Sequence, residues 1–248
     1  MFSKIKVTFV ILFCALMAGC AGQIKPMSSD EVSNLSQKRA AVAYFYPDKK
    51  INYNELVYKV LWNEYRSNSV SFAGLWDIES ELSERFQTRF RQMGINQAVL
   101  ARDLLNDEQY ANLQEDTYTH IRAVLKAIKD GENFPTLTLG ASYQKALADQ
   151  GVDRLVLLGQ YPFNIEVFGL TDSEIMRSSA DVWVIDTNDG SILFDGAAYI
   201  NFGHEYEESP REIESNNLHA FKEGIRSAVD KEFAPERLPK QMGFSNPQ

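Results

Sequence analysis

Apolar and polar positions fall into short blocks with distinct periods. Residues 38–47, KRAAVAYFYP, form a nearly continuous apolar run closed by Pro47, the pattern of a buried strand. From Ile51 to Trp76 aromatic residues are dense and two periods compete. Leu56, Tyr58, Val60 and Trp62 alternate, while Tyr58, Leu61, Trp62 and Tyr65 also share a helical face. The alternation favours extended structure. Asp77 is placed to cap a helix in which Ile78, Leu82, Phe86, Phe90 and Met93 recur every three or four residues, and Gly94 stands where that helix ends. A short apolar strand is expected at 95–101. Helices follow at 103–112, 117–130 and 142–150, the last two closed by Gly131 and Gly151.

Residues 153–169, DRLVLLGQYPFNIEVFG, form the most buried-looking segment, with Leu155 to Leu158 continuously apolar. This fits a central strand covered on both faces, with Pro162 marking a bend. A polar stretch of about ten residues, from Gly169 to Ser179, is expected to be a loop. Residues 180–202 then alternate on either side of Thr187-Asn188-Asp189-Gly190, the pattern of a β-hairpin with a tight turn. A final helix is expected within 209–233, with Leu218, Phe221, Ile225, Val229 and Phe233 on one stripe, followed by a loose tail over 235–248. Together these elements predict an α/β fold: one domain, residues 38–234, with a mixed β-sheet flanked by helices, a C-terminal hairpin and a last helix.

The amino terminus follows another logic. Lys4 and Lys6 precede an apolar core from Val7 to Met17, then the small pair Ala18-Gly19 and Cys20. The core is short for a permanent membrane helix and has the layout of a secretory signal. Met17-Ala18-Gly19-Cys20 resembles the lipobox of bacterial lipoproteins. That resemblance implies removal of residues 1–19 and lipidation of Cys20. One acyl chain holds a protein only marginally, whereas two or more make release slow. In enterobacterial lipoproteins an acidic residue after the cysteine favours the inner membrane. Ala21 therefore implies the outer membrane, with the domain facing the periplasm. Residues 20–37, polar and small, read as a tether.

Removing the signal takes away Lys4 and Lys6, leaving 23 of the 25 basic residues against 34 acidic ones, a net charge of −11. An acidic chain is a poor partner for nucleic acid and for anionic lipid head groups. Cys14 leaves with the signal and Cys20 is claimed by lipid. The folded part therefore has no thiol for a disulfide, a metal or catalysis.

Three segments carry a further resemblance: RQMGINQAVLARDLLNDEQ, LADQGVDRLVLLGQY and DVWVIDTNDGSILFDGAA. Over roughly residues 78–202 they resemble, at the level of pattern, the α/β fold of the TolB amino-terminal domain, the curli-secretion channel lipoprotein and the lipoprotein activator of a penicillin-binding protein. The resemblance implies an envelope protein that works by binding other proteins. Channel-forming members carry long membrane-crossing hairpins. The 169–179 stretch is too short and polar for one, and Lys59, Glu64 and Arg66 make the 51–76 segment unsuited to lipid.

Candidate chemistry is sparse. His120, His204 and His219 are far apart in sequence, and HEYEE at 204–208 lacks the spacing that puts two imidazoles on one helical face. There is no Gly-x-Ser-x-Gly elbow, Ser-x-x-Lys or phosphate-cradling glycine loop. The expectation is a protein that is not an enzyme, with no cofactor and no metal, anchored by lipid and acting on an envelope protein. An oligomeric secretion component and a cell-wall hydrolase with a carboxylate of raised pKa are the alternatives. The aromatic set Tyr53, Tyr58, Trp62, Tyr65, Phe72 and Trp76 and the sheet edge beside the hairpin are the candidate contact surfaces, the edge by strand addition.

Overall fold

The computed structural model describes residues 26–58, 63–168, 173–203 and 217–244. Its elements run α1 (Ser29–Gln37), β1 (Ala40–Phe45), β2 (Lys50–Tyr58), β3 (Asn63–Ser71), α2 (Ile78–Gln92), β4 (Ala98–Leu100) and a 3-10 turn at Ala101–Asp103. There follow α3 (Asp107–Asp130), α4 (Ala141–Asp149), β5 (Arg154–Gln160), β6 (Phe163–Phe168), β7 (Ser173–Arg177), β8 (Ser179–Asp186), β9 (Ile192–Tyr199), β10 (Phe202–Gly203), α5 (His219–Glu232) and α6 (Leu238–Met242). The mixed α/β architecture is the expected one.

The strands form two five-stranded sheets, β4-β1-β5-β8-β9 and β10-β7-β6-β2-β3. In the first, β4, β1 and β5 are parallel and β8 runs against β5, with β9 antiparallel to β8. The second prolongs the first. β1 leads into β2, β5 into β6 and β7 into β8, and the neighbours stay neighbours: β1 and β5 are parallel, as are β2 and β6. Each long strand thus breaks once, at Tyr46–Lys49, Tyr161–Pro162 and Ser178. Proline explains two of the breaks, since it cannot donate to a ladder. Gln160, fully buried, closes the gap. Its Nε2 donates to the carbonyls of Tyr161 at 2.9 Å and Ser179 at 3.0 Å, and its Oε1 accepts from the Tyr44 hydroxyl at 3.1 Å.

The first sheet is packed on both sides. Val42, Tyr44, Val156, Leu158, Val182 and Val184 face α2, α5 and α6, meeting Phe86, Phe90, Phe221 and Val229. Ala41, Ala43, Phe45, Leu155, Leu157 and Trp183 face α3 and α4, meeting Leu113, Ile121, Tyr143 and Leu147. Among its described side chains, the second sheet is packed on one side only. Ile51, Tyr53, Phe163, Ile165 and Met176 are buried in the first of those cores, while Asn52, Asn54 and Asn164 point the other way.

Several expectations are corrected. The 51–76 segment is extended, as a β2–β3 hairpin. The 169–179 stretch contains a strand, β7, which pairs with β6. The two helices expected at 103–112 and 117–130 are one 24-residue helix, α3. Its start is fixed by Asn106 and Gln109, whose side chains each bond the other's backbone N–H. Nothing between Ala111 and Asp116 breaks it: Leu113 is buried, Gln114 and Asp116 bond Glu79 and Tyr143 with their side chains, and Asn112 and Glu115 are exposed. The tether expected over 20–37 is not loose where it is described. Ser28 and Glu31 form a capping box for α1, and Met27 and Leu35 are buried in the core. The tail expected over 235–248 likewise contains α6, with Leu238 and Met242 fully buried. Cys20 and residues 245–248 lie outside the described residues. Among those residues, no helix is long and apolar enough to cross a membrane.

Candidate functional site

Burial corrects the expected contact surface first. Tyr53, Phe72 and Trp76 are core residues. Phe72 stacks on Tyr46, and Trp76 meets Phe221 edge to face. Tyr58 and Tyr65 occupy ladder positions opposite Asn63 and Leu56, and Trp62 lies outside the described residues. For Tyr53, Phe72 and Trp76 the aromatic density is therefore a packing feature. The edge beside the hairpin is also occupied. Helix α6 lies along β9, and the Gln241 Oε1 accepts from the Ala197 N–H at 3.5 Å.

The open surface is instead a face of the same hairpin. α3 and α4 cover the first sheet from β4 to β5 and stop short of β9. A groove of about 960 Å³ runs where that helical layer ends. Its floor is β8 and β9, presenting Ser179, Asp181 and Trp183 opposite Tyr199, Ala197 and Asp195. One wall is α3, through His120, Val124, Leu125 and Ile128, with the 134–137 segment above it. The far end reaches the bare polar face of the second sheet at Asn52, Asn164 and Arg177. Of the five large hydrophobic side chains exposed among the described residues, four line this groove: Ile128 (57% exposed), Phe134 (49%), Tyr199 (46%) and Ile192 (36%).

A register irregularity helps to build it. Val184 pairs with Phe194, but Ile185 pairs with Ile192, so Leu193 is an extra residue in β9. Leu193 and Phe194 both pack into the α2–α5 core. Strict alternation would turn Ile192 to that side as well; the extra residue returns it to the groove.

The floor holds two carboxyls. Asp181 is pushed up to about 6, first by burial and further by the charge of Asp195, against the hydrogen bond from Tyr161. That bond is 2.5 Å long. Asp195 is also raised, by burial, with the Trp183 indole N–H acting in the opposite direction. Burial and the adjacent Asp181 keep the Tyr161 hydroxyl protonated. His120 stands edge-on to Trp183 at 5.2 Å between ring centres, and burial lowers its pKa, so it is neutral near pH 7. Arg177, at the polar end, pairs with Glu166 at 3.5 Å. Only His120 in this set stood out in the sequence. Asp181 and Asp195 were unremarkable among 34 acidic residues. The signal available was their position: alternate residues of a hairpin whose other face is apolar.

A second buried carboxylate, Glu79, is used by the fold. It accepts from the Tyr46 backbone N–H at 2.7 Å, from Gln114 Nε2 at 2.8 Å and from the Tyr118 hydroxyl. It therefore ties the end of β1 to α2 and α3. Burial raises its pKa. Among the described residues no group of three or more His, Cys, Asp or Glu could hold a metal ion. The 204–208 run lies outside them, and His219 is the first residue of α5.

No family model and no curated protein matches the chain. Among the solved structures that resemble it are the following three. A PelC dodecamer from Paraburkholderia phytofirmans is 10% identical, with 77% of this chain and 84% of that one covered at a TM-score of 0.31. The LpoB C-terminal domain from Salmonella enterica is 10% identical, with 70% and 94% covered at 0.21. Lipoprotein GNA1162 from Neisseria meningitidis is 14% identical, with 44% and 69% covered at 0.23. At TM-scores of this size the likeness transfers nothing to this chain.

Proposed function

We propose that this chain is a lipid-anchored cell-envelope protein that acts by contact with another protein, and that the β8–β9 groove makes the contact. One observation carries the groove assignment: among the described residues, four of the five exposed large hydrophobic side chains converge on it. Scattered exposed apolar residues need no explanation, but their concentration in one concave site marks a binding surface. The anchor rests on Met17-Ala18-Gly19-Cys20. The role is assembly, regulation or scaffolding of an envelope complex at the outer membrane, on its periplasmic side. The test is crosslinking in living cells followed by mass spectrometry of what copurifies, comparing the native chain with Cys20→Ser and with Phe134→Ser. A defined envelope complex, weakened by both changes, is the expected result. Recovery of self-crosslinked rings alone favours the oligomeric secretion component.

A specific observation supports a second reading. Asp181 pairs with Ala197, and Trp183 with Asp195. The two residues are thus diagonal neighbours, on the order of 7–8 Å apart with their Cβ atoms somewhat closer. One has a pKa pushed up to about 6. Two carboxyls facing one groove, one protonated more readily than the other, are the kind of pair that glycoside hydrolysis uses. Release of soluble fragments from cell-wall glycan by the purified protein, abolished in Asp181→Asn, would establish it.

A further inference from the structure

The groove has an order along its length. Ile192 opens β9 and Tyr199 ends it. Eight strand residues at about 3.3 Å each make a floor roughly 23 Å long. Ile192, Ile128 and Leu125 give one end an aliphatic lining, Asp195 and Asp181 lie near the middle, and Asn52 and Asn164 line the other end. A floor of that length suits an extended polymer of about seven residues.

The charges that face the middle are of one sign. From β8 comes Asp181, and from β9 Asp195. From α3 comes His120, which burial keeps neutral. Tyr161, between β5 and β6, offers a hydroxyl already donated to Asp181. Arg177 of β7, the one cationic side chain lining the groove among the described residues, pairs with Glu166. Two carboxylates in a partly desolvated floor favour a cation over any neutral or anionic group.

We infer that the groove binds an extended protein segment carrying a basic side chain flanked by apolar ones, with the cation seated between Asp181 and Asp195 and the apolar neighbours on Ile128, Ile192 and Phe134. This rests on the protein-contact function proposed above and names the chemistry of its partner. A glycan fits less well. Its hydroxyls need donors and acceptors along their whole length, and the aliphatic end supplies none.

The raised carboxyls add a consequence. As the pH falls through about 6, Asp181 takes up a proton, and the site loses part of its attraction for a cation.

The experiment uses the full-length chain and fluorescence anisotropy. The probe is a labelled heptapeptide with arginine at its centre and leucine at alternate positions; its control carries citrulline, the neutral isostere, in place of arginine. At pH 7.5 the arginine peptide is expected to bind at least tenfold more tightly. That preference should shrink severalfold at pH 5 and severalfold in Asp195→Asn, which leaves Asp181 as the single carboxylate facing the cation; a matching thermal melt checks that the variant is folded. Equal affinity for both peptides, with loss of both in Phe134→Ser, overturns the cation site while leaving the protein-contact function standing. Binding of neither peptide, with binding of a chitin hexasaccharide, overturns both. Binding of neither probe overturns the inference, and the crosslinking experiment then decides the function alone.

Discussion

The Tyr161 hydroxyl donates to the Asp181 carboxylate at 2.5 Å, from the break between β5 and β6 to the start of β8. The bond holds the groove floor to the junction of the two sheets. It also opposes the rise that burial imposes on Asp181. Tyr161→Phe should therefore move the Asp181 pKa above about 6. A carbon-13 NMR titration of the Asp181 carboxyl reads this directly; an unchanged or lower value would mean the bond does not form in solution.

Asp181 also makes stability depend on pH in a definite direction. Its folded pKa, about 6, lies above the unfolded value of about 3.9. Between these values the folded state holds the extra proton. Its contribution is complete below about pH 4 and is lost as pH rises through about 6. At pH 7 the buried charge is a cost, so Asp181→Asn should raise stability by roughly 1–3 kcal/mol. The gain should vanish near pH 4. Urea unfolding of both proteins at the two pH values reads this group together with its coupling to Asp195, while the effects of carboxylates remote from it cancel in the difference.

Gln160 is the fastener of the strand break. Gln160→Leu would leave the buried Tyr44 hydroxyl without its acceptor, while the Tyr161 and Ser179 carbonyls keep the Ser178 hydroxyl and the Tyr161 N–H as donors. One unsatisfied buried group costs about 1–3 kcal/mol. A loss of about 1–3 kcal/mol in urea unfolding is expected, together with faster amide hydrogen exchange in β6 and β8. An effect below about 0.5 kcal/mol, the scale of an ordinary surface change, would show that the break is held by other contacts.

Much of the fold was legible because its signals are local. The stripe Ile78, Leu82, Phe86 and Phe90 is buried as expected, with the Asp77 side chain accepting from the Ser80 N–H at 3.2 Å. In the hairpin, Gly190 has φ +75°, as its turn position requires. What failed depended on distant packing. The polarity of 173–177 hid a strand because its pairing with β6 is set by the sheet and not by an apolar run of its own. Met27, Leu35, Leu238 and Met242 are isolated apolar residues in polar segments, and only the fold shows that they meet the core. The groove was illegible for a related reason. It exists where α3 and α4 end short of β9, a fact about layer width that no local pattern records. The aromatic residues Phe72 and Trp76 drew attention through their density, and density proved to mean burial.

Gly159 shows how closely α3 meets the sheet. A Cβ there would lie 2.9 Å from Ile121 Cδ1 and 3.0 Å from the Trp183 ring. Gly159→Ala should cost roughly 1–3 kcal/mol as an overpacked core. Because Ile121 is one of the two obstacles, adding Ile121→Val should recover part of the loss. Thermal unfolding of the single and double variants checks it; a neutral Gly159→Ala would mean that α3 has room to shift.

Tyr199 lies at the polar end of the groove and is half exposed, so a replacement there leaves the core intact. Ser67, on the outer polar strand β3, is exposed and lines no part of the groove. A photo-crosslinking amino acid at each position, activated in living cells, compares the two surfaces under identical conditions. Contact through the groove predicts a discrete crosslinked protein from position 199 and none from position 67. A crosslink from 67 with nothing from 199 would contradict it and place the working surface on the other sheet.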